Sequence, residues 1–252
     1  MTKISDIMEY FETFAPLTTQ MDFDNSGLLV GDRDNTVKKV LLSLDITKDV
    51  VLEAEELGCE LIISHHPVIF NPIKHMGTHD PSYLLANKGV SALCMHTNLD
   101  LGTEFGVNVA LANAIGVHNV KLADIGECLF IGSLDTVVEM KNFAQNVKAA
   151  LNCSGLRYTD SKSNVKTVAV SSGAGGSNVF EAAKLGADVL VTGEIKHHEI
   201  NAANSLNLNI IDAGHFKSED IVILPLIKRL SDRFSDIIFT KSKSYSDFIK
   251  YV

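Results

Sequence analysis

Short apolar runs alternate with amphipathic stretches along this 252-residue chain. Ile4–Phe14 carries its apolar residues at helical spacing and stops before Pro16. Val40–Leu44 reads as a strand, Val50–Leu57 as a helix closed by Gly58, and Leu61–Ser64 as a short buried strand. Ser82–Asn87 is helical, Ala92–Met95 is another strand, and Val107–Ile115 is a helix ending at Gly116. Leu129–Ile131 reads as extended, and Val137–Leu151 as an amphipathic helix. Strand and helix alternate again from Thr167 to Phe234, whereas Cys153–Lys166, rich in Ser, Asn and Gly, reads as a linker. This alternation predicts an α/β protein with mainly parallel sheets.

The pattern repeats. Val40–Gly58 laid over Val168–Gly186, without a gap, matches at seven of 19 positions. The identities include Ser43/Ser171, Glu53/Glu181, Ala54/Ala182 and Gly58/Gly186. The strands that follow also correspond in kind, GCELIIS against GADVLVT. Two similar, duplicated α/β domains are expected, with a crevice at their strand C-terminal ends, where open α/β sheets place ligands.

Six of the nine histidines fall at or just beyond predicted strand ends: His65, His66, His96, His197, His198 and His215. Carboxylates accompany them, Asp100 in HTNLD and Glu219 in GHFKSE. Imidazole with carboxylate suits zinc, iron, manganese or nickel. His65, His66, Asp100, His215 and Glu219 are enough to hold two divalent metal ions, because a carboxylate can bridge. His215 and Glu219 share a face if a helix begins there. On a regular strand His65 and His66 would point apart, so both serve one site only if the backbone turns, as Pro67 favours. His96 reads as a ligand, as a ligand's support or proton carrier, or as core. Glu194, in TGE, reads as a general base, a ligand's support or a solvated residue. The glycine-rich Gly173–Ser177 lacks the dinucleotide and P-loop signatures. It reads as an anion-binding nest or as a tight turn beneath the crevice.

Composition narrows the classes. Lys and Arg number 22 and Asp and Glu 31, a formal charge of −9, so no broad basic face for nucleic acid is expected. The apolar run Ile221–Ile227 is far below the ~20 residues of a spanning helix and contains Pro225. The N-terminus carries Asp6, Glu9 and Glu12 where a signal peptide is apolar. A cytoplasmic protein is expected, with no membrane partner. The four cysteines form no CxxC and read as reduced, buried thiols.

In order along the chain stand Asp24–Gly31 (DNSGLLVG), Ser64–Pro67 (SHHP), His96–Asp100 (HTNLD), Thr192–Glu194 (TGE) and Gly214–Glu219 (GHFKSE). The set resembles the Nif-three/YbgI-like family of dinuclear-metal proteins, labelled GTP cyclohydrolase I type 2 homologues. Phe23 stands where that family usually has Trp. The resemblance covers nearly the whole chain and places the family's two metals on His65, His66, Asp100, His215 and Glu219. It implies two α/β domains, divided here as 1–125 with 220–252 and 126–219, with the dinuclear site between them. It also implies a homohexamer, in the short form without an inserted domain.

The chemistry implied is hydrolysis of a small molecule by activated water, in the family's label a ring-opening attack on a guanine nucleotide. His96, Glu194 or His198 would carry the proton to the leaving nitrogen. A scaffold or regulator that binds metal and acts through partners is the contrasting reading. No activated Ser or Cys competes as nucleophile.

Overall fold

The computed structural model describes residues 1–124, 128–161 and 164–252. In chain order the elements are α1 (Ile4–Phe11), β1 (Gly27–Val30), β2 (Lys39–Ser43), α2 (Lys48–Leu57), β3 (Leu61–Ser64), α3 (Pro81–Lys88), β4 (Ser91–Cys94), α4 (Thr97–Asp100) and α5 (Val107–Ala114). They continue as β5 (His118–Asp124), β6 (Leu129–Glu139), α6 (Met140–Ala150), β7 (Arg157–Tyr158), β8 (Asn164–Ser171), α7 (Val179–Lys184), β9 (Val189–Thr192), α8 (His197–Ser205), β10 (Asn209–Asp212), α9 (His215–Glu219), α10 (Ile223–Arg233) and β11 (Ile238–Lys241). Packing divides the chain into two units, Met1–Leu99 with Ile223–Ser246, and Asp100–Val222 with Asp247–Val252. The expected boundary at 125/126 falls outside the described residues.

The first unit is built on a five-stranded sheet, ordered β1-β4-β3-β2-β11. Only the β1–β4 pairing is antiparallel. Its central strands are apolar on both faces, as parallel strands covered by helices must be. Leu41, Ile62 and Ala92 pack with Val50, Val51 and Ala54 of α2 and Leu85 of α3. On this sheet α10 packs against β2 and β11. Thr47 caps α2 by accepting from Val50 N, and Gly58 ends the helix in the left-handed region at φ 67°.

The second unit holds a six-stranded sheet, ordered β5-β6-β8-β9-β10-β7. Alternate residues of its strands feed two cores. Val168, Val170, Val191 and Ile211 pack with Leu111 of α5 and Phe143 and Val147 of α6. Ala169, Leu190 and Ile210 pack with Val179 and Ala182 of α7 and Ala203 of α8. Removing Phe143, which is 1% exposed, should cost about 3–5 kcal/mol.

Three sequence expectations change here. The second sheet is not mainly parallel, since β5–β6, β6–β8 and β10–β7 are antiparallel and only β8–β9 and β9–β10 are parallel. Parallel pairing needs a helical crossover, and β5 and β6 are joined by too short a segment to hold one. The helix expected from Val137 starts at Met140, because Val138 and Glu139 pair with Val165 and Asn164 and prolong β6. Cys153–Lys166 is no linker among its described residues: it supplies edge strand β7 and the start of β8. The 128-residue offset of the repeat carries β3 onto β9, Leu61 to Val189 and Ser64 to Thr192.

Candidate functional site

In the first unit three imidazoles gather at the C-terminal ends of β3 and β4. The backbone N–H groups of His65 and His66 both donate to Leu44 O, at 3.2 and 2.9 Å, so the chain turns as β3 ends. The two adjacent rings therefore share one side, with centroids 5.0 Å apart. His96 joins them at 5.2 Å from His65 and 5.5 Å from His66. Each of the three offers a ligand nitrogen within 4.8 Å of the others.

In the second unit β10 and α9 present His215 and Glu219 one helical turn apart. His215 Nε2 lies 3.0 Å from Glu219 Oε2, and the carboxylate is only 5% exposed. Asp100, also buried, is fixed through Asn108, whose Nδ2 donates to Asp100 O at 3.1 Å while its Oδ1 accepts Ser172 N at 2.8 Å. Ser172 Oγ is 3.5 Å from Asp100 Oδ1.

One feature unites the four histidines. His65 Nδ1 lies 2.9 Å from Met95 O, His66 Nδ1 3.0 Å from Asp45, His96 Nδ1 2.7 Å from Asp24 and His215 Nδ1 2.7 Å from Glu194. An acceptor at Nδ1 places the proton there and makes Nε2 the basic nitrogen, the arrangement that orients metal-ligating imidazoles. In that tautomer the lone pairs of His215 Nε2 and of Glu219 face each other at 3.0 Å. Two acceptors at that distance repel unless a cation or a proton lies between them. The donor set therefore fits a divalent ion of the transition series.

The glycine-rich loop acts as a turn. Gly173 N donates to Ser218 Oγ and Gly175 N to Thr192 Oγ1, at 3.0 and 3.1 Å, so these amides are committed to the protein. Gly173 adopts φ +58°, and a Cβ there would collide with the Glu219 carboxylate. Beside the loop opens a cleft of about 600 Å³, lined among others by Gly176, Glu194, Lys196, His215, Arg157 and Tyr251.

Glu194 is exposed and bonds His215. His198 lies on α8 with its side chain 78% exposed, Nε2 4.0 Å from Glu199 Oε1. His75, His79 and His118, read as surface residues, are exposed. Asp24 and Asp45 are the partners that sequence reading passed over. Asp24 lies within the DNSGLLVG motif, but its contact with His96 spans 72 residues. Burial raises the Asp24 pKa, yet hydrogen bonds from His96 and Thr97 outweigh it and hold the carboxyl below its ordinary range.

A family model described as Duf34/NIF3 (NGG1p interacting factor 3) matches residues 2–246. The chain belongs to this family. Among its Duf34/NIF3 relatives, a protein of Clostridium perfringens named GTP cyclohydrolase 1 type 2 homolog is 33% identical, over 99% of this chain and all of the relative. A protein of the same name from Clostridium acetobutylicum is 34% identical over 90% of this chain and 89% of the relative. The crystal structure of a Staphylococcus aureus hypothetical protein is similar at a TM-score of 0.91, with 28% identity and 99% of each chain covered. Among the described residues no helix is long and apolar enough to cross a membrane.

Proposed function

We propose that this Duf34/NIF3 protein is a metal-dependent hydrolase in which His65, His66, Asp100, His215 and Glu219 hold two divalent ions. The observation that carries the reading is the anchoring of Nδ1 in all four histidines, which prepares Nε2 as ligand or base. Such a pair of ions, when bound, acidifies water enough to supply a nucleophile near neutral pH. The chain's own part is to hold the ligands, admit the substrate and move a proton. Gly173 and Ser218 brace the turn that carries His215 and Glu219. The cleft lined by Lys196, Arg157 and Tyr251 has the volume to admit a small molecule beside His215. His96 is assigned the proton transfer to the leaving group, with Glu194 and His198 to be replaced beside it. The relatives' name makes GTP the first substrate to try, with hydrolytic opening of its imidazole ring the expected reaction. The matched repeat is read as a duplicated α/β unit, and the motif set as that of a homohexamer, which light scattering at six chain masses would support.

The test begins with metal-stripped protein reloaded with zinc, manganese, iron or nickel and assayed on GTP, other nucleotides, phosphodiesters and amides. Two ions per chain and turnover that disappears on chelation support the reading. Undiminished metal in a His66→Ala/His215→Ala double variant, or a loaded protein that turns over nothing in the panel, overturns it.

A further inference from the structure

Of the groups that anchor the four Nδ1 atoms, the one on His96 is a carboxylate with a fully buried side chain. Asp24 sits in the turn that precedes β1, and its side chain is 0% exposed. Burying a carboxylate is costly unless donors surround it. Here they do. Oδ2 accepts Thr97 N at 3.0 Å, the Thr97 hydroxyl and Ser26 Oγ at 2.9 Å. Oδ1 accepts Asn25 N at 2.7 Å and His96 Nδ1 at 2.7 Å. A second layer holds this cage in place. Met21 N donates to Thr97 Oγ1 at 2.9 Å, Asn25 Nδ2 to Ile69 O at 2.6 Å and His96 N to Ser26 Oγ at 3.2 Å.

We infer that Asp24 is a positioning residue for His96, fixing both its ring orientation and its tautomer so that Nε2 is the nitrogen that works beside His65 and His66. Two observations argue against a mere tether for the turn. A tether would be satisfied by Thr97 and Ser26 on Oδ2 and by Asn25 N on Oδ1, yet Oδ1 also takes the imidazole. The imidazole it holds is also one of the three whose ligand nitrogens converge within 4.8 Å. An ionised carboxylate can only accept, so its partner must be Nδ1–H. The inference rests on the hydrolase reading for what Nε2 does, but the tautomer itself does not depend on that reading.

Asp24→Asn separates the two roles. Three donors converge on the Oδ2 side against two on the Oδ1 side, so the amide oxygen stays with the three and the NH₂ group turns to His96 Nδ1, losing the bond from Asn25 N. Nδ1 must then accept, and the ring proton moves to Nε2. We expect nitrogen NMR of histidine-labelled, zinc-loaded protein to show His96 protonated at Nδ1 in the native chain and at Nε2 in Asp24→Asn. On any substrate turned over, kcat should fall about 10²–10⁴-fold with KM little changed, the range for a lost acid–base group. Thr97→Val removes one cage hydroxyl while leaving Oδ1 and His96 in contact, so it should keep the native tautomer. An Nε2–H tautomer in the native protein, an unchanged tautomer in Asp24→Asn, or the same switch in Thr97→Val would overturn the inference. Absence of turnover together with the predicted tautomer switch would count against the hydrolase reading and leave this one standing.

Discussion

Glu194 Oε1 accepts a hydrogen bond from His215 Nδ1 at 2.7 Å. The two residues follow the neighbouring parallel strands β9 and β10, so the sheet itself sets their spacing. Glu194 is exposed and contributes little to the fold, which makes its replacement a clean probe of the imidazole it orients. Glu194→Gln should lower metal affinity about 10–100-fold, measured by competition with a chromogenic chelator, while the thermal midpoint stays near the native value. Native affinity in the variant would show that His215 needs no such partner.

Gly173 and Gly186 share a left-handed backbone but differ in what surrounds them. Alanine at φ +58° costs about 1–3 kcal/mol wherever it occurs. At Gly173 the added Cβ would also strike Glu219 and come within 3.3 Å of His215 Nε2. Gly186 has φ +74°, and a Cβ added there would meet nothing within 4 Å. Both Gly173→Ala and Gly186→Ala should lower stability, but only Gly173→Ala should lose metal by elemental analysis. Equal metal content in the two variants would sink the collision argument.

Thiol chemistry should be irrelevant to turnover. Burial raises the pKa of Cys59 and of Cys153, which suppresses their thiolates, and Cys94 is 1% exposed with Sγ donating to His65 O at 3.0 Å. Chelation and Glu219→Gln should abolish hydrolysis, while a thiol-blocking reagent or Cys94→Ser should leave most of it. Activity that survives chelation but not thiol blocking would move the mechanism to covalent catalysis.

How far these features could be read in the sequence depended on range. Gly58 and the apolar LIIS of β3 are local signals, a left-handed helix cap and a strand buried on both faces, and each was legible. The start of α6 was not, because Val137–Glu139 fits a helical period and becomes strand only through pairing with β8. Strand β7 is two exposed residues held by Ile211 and Asp212, with no apolar alternation to reveal it. The histidines stood out by their place after strands. Their acceptors did not, since Asp24 and Asp45 meet His96 and His66 across 72 and 21 residues. Nor could the turn that puts His65 and His66 on one side be read as more than an expectation. It depends on Leu44 O accepting from both backbone N–H groups.

Glu53 of α2 gathers the Ser242 hydroxyl and the backbone N–H groups of Lys243 and Ser244, the latter two at 2.9 and 3.1 Å. Burial pushes its pKa up, but these hydrogen bonds outweigh that effect and leave it below the ordinary glutamate value. A carboxylate whose folded pKa is depressed binds protons more readily when released. Its contribution is therefore full above the unfolded value, about 4.3, and is lost as pH falls through the lower folded value. The chain after β11 should stay fastened to α2 at neutral pH and loosen only in acid. Hydrogen exchange of the Lys243 and Ser244 amides, corrected for intrinsic rate, should show protection that holds at pH 6 and fades only once pH has fallen below the ordinary glutamate value. In Glu53→Gln the protection should be weaker at pH 6 and flat through the same range. Native protection in that variant, or a native profile that does not fade in acid, would place the anchor on groups other than this carboxylate.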